Sequence, residues 1–106
     1  LKALSLELGG HGPLVVLPDA DLDVAAEVAT VQGYVNAGQA CYAVNRVLVP
    51  QGLAEPLLAR MRARIASLEL GPMATERGFQ RHHMLLEDAR AKGATVEGGE
   101  VVGPRR

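Results

Sequence analysis

The apolar run PLVVL, residues 13–17, leads through PDADLD into an apolar pattern that continues to Val35. A short apolar run without polar alternation, bounded by Gly and Pro, reads as a strand buried on both faces. Asp19 and Asp21 stand where a helix N-terminus needs an acceptor. Beyond them Leu22, Ala25, Ala26, Ala29 and Gly33 share one stripe at helical spacing, and Val24, Val28, Val31 and Val35 share a second. The double stripe predicts a helix covered on two sides. Asn36 and Gly38 supply its stop signals, and a β-branched run follows from Arg46 to Val49. Strand, helix, strand is the unit that builds parallel pairs, because parallel strands need a long crossover.

The remaining sequence extends the same architecture. A second helix is expected from near Leu53, with Pro56 in its first turn, carrying Leu57, Leu58, Met61, Ile65 and Leu68 inward while Arg60, Arg62 and Arg64 mostly face water. The turn LGPM, residues 70–73, precedes a third helix capped by Thr75, running to Lys92 and stopped by Gly93. On its stripe Phe79, His82, Leu86 and Ala89 are expected to pack, with His83 in solvent. ATVEGG, residues 94–99, reads as a last short strand, and the tail GEVVGPRR is expected to fray. The fold class is α/β: a small, mainly parallel sheet with helices packed on it, in one domain over residues 1–106.

Charge and cysteine usage narrow the partners. Eleven Lys and Arg against twelve Asp and Glu give a formal net charge of −1, which offers no field to gather phosphate backbones or anionic lipid. Tyr34, Tyr42 and Phe79 are the whole aromatic complement, too few for a base-stacking platform, so nucleic acid is not expected as a partner. No apolar run is long enough for a bilayer, so no membrane role is expected either. The single cysteine rules out an internal disulfide and points to a reducing, cytoplasmic setting. The three histidines show no HExxH or CxxC context, and no metal is expected.

Two short stretches carry chemistry. LGGHGP, residues 8–13, holds glycines but precedes a strand rather than following one, so it reads as a tight turn and not as a phosphate loop. In NAGQAC, residues 36–41, Cys41 falls just past a Gly-rich helix end, at the mouth of a strand. A thiol there is open to substrate and close to backbone amides that favour its thiolate and receive an oxyanion. Read from the residues alone, Cys41 is either a small buried hydrophobe or a nucleophile. His11 is either a loop histidine or a base serving Cys41.

LELGG, residues 6–10, and NAGQAC, followed by NRVLV, together resemble the signature core of the NAD(P)-dependent aldehyde dehydrogenase superfamily. The 34 residues that separate Glu7 from Cys41 match the family interval, and PLVVLPDADLDVAAE follows the family's usual run. The likeness continues more weakly through LGPM to DARAKGATVEGG. It implies a segment of an aldehyde dehydrogenase catalytic domain with no separate cofactor-binding domain in these residues, an upstream segment being expected. By resemblance Cys41 attacks the aldehyde carbonyl, Glu7 activates the water that hydrolyses the thioester, and Leu8 and Gly9 lie along the nicotinamide of NAD or NADP. The Cys41 amide is implied as one oxyanion donor.

The resemblance also marks departures. The family's second oxyanion donor and most of its cofactor domain lie upstream of the glutamate, an EIFGP-type motif is absent, and His11 stands where lysine is common. Three readings follow: an aldehyde-oxidising segment with a small-molecule aldehyde as substrate, a catalytically inactive remnant acting as an oligomerising interaction module, and a cofactor-independent thiol esterase. The two-sided helix and the small sheet predict a homo-oligomer.

Overall fold

The computed structural model describes residues 2–100 and 103–104 of the 106-residue chain. The described residues fall into two compact units, divided between Glu69 and Leu70. The tail expected to fray lies partly outside the described residues.

In the first unit, β1 (Gly12–Val15) leads to α1 (Leu22–Tyr34), β2 (Val44–Leu48) and α2 (Gln51–Ile65). The strands pair in parallel, as the helical crossover requires. Asp21 caps α1, its carboxylate accepting from the Asp23 and Val24 amides at 2.8 and 3.3 Å. The core lies between one face of the strand pair and the two helices: Val16, Ala25, Ala26 and Leu57 are buried, with Leu14, Leu22, Val47, Val49 and Met61 packed around them. Thr30, 2% exposed on α1, satisfies its hydroxyl by donating to the Ala26 carbonyl at 2.7 Å.

Several expectations are corrected here. Residues 13–17 are not buried on both faces: Val16 is buried, but Val15 and Leu17 are each 59% exposed, because α1 and α2 both cover the same side. The first stripe of α1 is inside, while Val24 and Val31 of the second remain 57% and 59% exposed. Helix α2 starts two residues before Leu53, so Pro56 is its sixth residue, past the first turn, and removes one backbone hydrogen bond. Leu57 is buried, but Leu58 and Leu68 are partly exposed. Arg60 and Arg64 do more than face water, since Arg60 Nε donates to Asp23 Oδ1 at 3.0 Å and Arg64 donates to the Asp23 carbonyl at 3.3 Å.

The second unit is built on α3 (Glu76–Ala91). Thr75 Oγ1 accepts from the Gly78 amide at 3.0 Å, the expected cap. At the other end Gly93, with φ of 83°, closes the helix: its amide bonds the Arg90 carbonyl and the Ala94 amide bonds that of Ala89. Residues 94–99 form no strand, having no partner strand to pair with, and Gly98 and Gly99 take positive φ instead. His82 is exposed; His83, four residues after Phe79, is the ring that stacks on it, with centroids 6.4 Å apart. No described helix is long and apolar enough to cross a membrane.

Candidate functional site

The thiol is delivered by an unusual local path. At the end of α1, Val35–Gly38 makes a tight turn in which Asn36, Ala37 and Gly38 take φ of 48°, 56° and 75°. Left-handed backbone costs an alanine roughly 1–2 kcal/mol, so something must hold the turn. Asn36 and Gln39 do: Gln39 Nε2 donates to the Asn36 carbonyl at 3.0 Å and Asn36 Nδ2 donates to the Gln39 carbonyl at 3.3 Å. A second turn follows at once, closed by the Ala43 amide on the Ala40 carbonyl at 3.0 Å. Cys41 is its first central residue, exposed and in no disulfide. Its own amide makes no hydrogen bond among the described residues.

Beside this turn runs the segment that carries Glu7. Gly10 and Gly12 back onto it: a Cβ on Gly10 would overlap the Cys41 carbonyl oxygen, and one on Gly12 would come within 2.5 Å of the Ala43 oxygen. The two motifs are thus joined backbone to backbone, a closeness that only glycine permits. Glu7 itself is exposed and makes no hydrogen bond or ion pair among the described residues. No hydrogen bond joins it to Cys41. His11 is not paired with the thiol; its Nδ1 accepts from Asn45 Nδ2 at 2.9 Å. Tyr42 is 63% exposed.

Leu8 is 72% exposed, and nothing lies within 4 Å of where a Cβ on Gly9 would stand. The backbone of this strip is therefore open to approach on the Gly9 side. No group of three or more His, Cys, Asp or Glu among them is placed to hold a metal ion.

One feature of the site has no signal in the sequence. Val44 registers with Gly12 but Arg46 with Pro13, which makes Asn45 an extra residue on β2. Such a bulge depends on pairing across 32 intervening positions, which no local pattern reports.

The Aldehyde dehydrogenase family model matches residues 1–105. A succinate semialdehyde dehydrogenase of Acinetobacter baylyi is 38% identical over 95% of this chain, which spans 23% of that protein. Among solved structures, an aldehyde dehydrogenase from Brucella melitensis superposes with a TM-score of 0.87 at 35% identity over 94% of this chain. One from Bacillus cereus, determined as an NAD+ complex, gives 0.86 at 30% identity over 98%. The chain spans 23% of each of these two structures, about a quarter of a whole relative. By the family match over its length and by the shared fold, this chain belongs to the aldehyde dehydrogenase family.

Proposed function

We propose that this chain is the thiol-bearing segment of an aldehyde dehydrogenase and that, taken alone, it does not turn over. The observation that carries the reading is the apposition of Gly10 and Cys41, which brings the Glu7 segment alongside an exposed thiol whose neighbouring amide is free to donate. In this reading the Cys41 thiolate adds to an aldehyde carbonyl, forming a C–S bond and an alkoxide that the Cys41 amide receives. Glu7 is the base that takes a proton from water when the acyl group is later released to the acid. NAD or NADP, the class of acceptor that family membership supports, would take the hydride whose loss turns the alkoxide adduct into the acyl thioester, and Leu8 and Gly9 are the residues that would lie along its ring. These residues supply one wall of that site, so the oxidation has no complete home in the segment itself.

What the segment does carry complete is an apolar surface. Val24, Val31, Val15, Leu17 and Leu48 are each at least half exposed, which supports association of these faces with further polypeptide, a second copy included. The test is reduced-nicotinamide formation by the purified chain with several aldehydes and both cofactors, Cys41→Ser as control, alongside sedimentation. A folded, self-associating chain without turnover is the expected result. Cys41-dependent turnover would overturn the assignment of inactivity, and a strictly monomeric chain at high concentration would overturn the association.

A further inference from the structure

We propose that the concavity bounded by His11, Pro13, Asn45 and Arg46 binds a small oxyanion of the carboxylate or phosphate class. It is separate from the thiol chemistry above and stands whether or not that reading holds.

The concavity is made by the break in the ladder. In a regular strand the consecutive residues Asn45 and Arg46 would send their side chains to opposite faces. Here the extra residue lies between the Gly12–Val44 and Pro13–Arg46 pairs, and both side chains line the same hollow of about 220 Å³. Bulges re-aim side chains in this way. Pro13, which has no N–H to give to a ladder, sits at the break and forms an apolar part of the wall.

The groups gathered there are donors. Asn45 Nδ2 lies 2.9 Å from His11 Nδ1, a hydrogen bond that fixes the two side chains side by side at the rim. Arg46 adds a permanent positive charge and a planar fork of N–H groups. Among the described residues Arg46 has no ion pair and no side-chain hydrogen bond, and no Asp or Glu lines the hollow. A lone guanidinium beside an amide and an imidazole matches the oxygens of a carboxylate or phosphate. The volume lies below the roughly 300–1,000 Å³ of a drug-sized site, which limits the occupant to a few heavy atoms. All four residues are exposed, so screening by water sets the affinity in about the millimolar range.

The experiment is titration of the isotopically labelled full chain, followed by NMR at the Arg46 Nε–H and the His11 ring. Inorganic phosphate and succinate are the separate probes, with chloride at matched ionic strength as the control. Saturable shifts are expected with at least one oxyanion and none with chloride, and the better probe identifies the class. Arg46→Gln should weaken binding by about tenfold or more, and Arg46→Lys, which keeps charge but loses the fork, by less. Unchanged amide signals of Ala26 and Leu57 will show that each variant remains folded. Shifts that stay linear throughout for both oxyanions, or equal binding by a folded Arg46→Gln variant, would overturn the site.

Discussion

Gly10 backs onto Cys41 so closely that a methyl group in place of its hydrogen would fall 2.2 Å from the Cys41 carbonyl oxygen. Since both partners are backbone, neither can swing aside. Gly10→Ala should therefore cost about 1–3 kcal/mol in urea unfolding and alter the alkylation rate of Cys41. Gly9→Ala, where the added carbon meets nothing within 4 Å, should stay within about 0.5 kcal/mol of the parent. Equal effects of the two substitutions would contradict the apposition.

The left-handed turn ahead of the thiol gives a pair of opposite signs. Gly38→Ala places a side chain at φ of 75° and should lose about 1–2 kcal/mol. Ala37→Gly relieves φ of 56° but adds freedom to the unfolded chain, so its gain should be below about 1 kcal/mol. Thermal unfolding of the two variants beside the parent reads both signs.

At the start of α1, the cap outweighs the ion pair next to it. Asp21 satisfies two helix amides, and Asp21→Ala should cost about 1 kcal/mol. The carboxylate of Asp23 meets Arg60 in solvent, with side chains 71% and 40% exposed, so Asp23→Asn should stay within about 0.5 kcal/mol. Only the smaller of the two effects should shrink when salt is raised.

The two stripes of α1 and the core can be separated by opposite readouts. Leu57→Ala, at a side chain 2% exposed, should cost about 2–5 kcal/mol and melt the first unit early. Val31→Ser, at a position 59% exposed, should leave unfolding nearly unchanged while reducing self-association in sedimentation.

How much of this was legible depended on whether the cause was local. The Asp21 and Thr75 caps, the Gly93 stop and the buried stripe through Ala25, Ala26 and Ala29 all follow from neighbours a few residues apart, and the structure has them. Residues 94–99 had the β-branched pattern of a strand but no partner, and a strand is only as real as its pairing. Periodicity points His82 inward, yet no described residue of α3 is buried, and the ring contact is made by His83. Helix α2 begins two residues ahead of its apolar pattern, which carries Pro56 past the first turn. At the site, the resemblance singles out LELGG and NAGQAC; the clasp of Asn36 with Gln39 and the bulge at Asn45 arise from geometry that spacing alone does not encode.

The parallel pairing of β1 with β2 also orders the events of folding. Gly12 meets Val44 and Val15 meets Leu48, so no rung of the ladder joins residues near in sequence. Closing a loop of that length costs entropy before the first rung repays it, and a formed crossover helix shortens the search. The Asp21 cap, which favours that crossover helix, is therefore expected to speed assembly of the sheet.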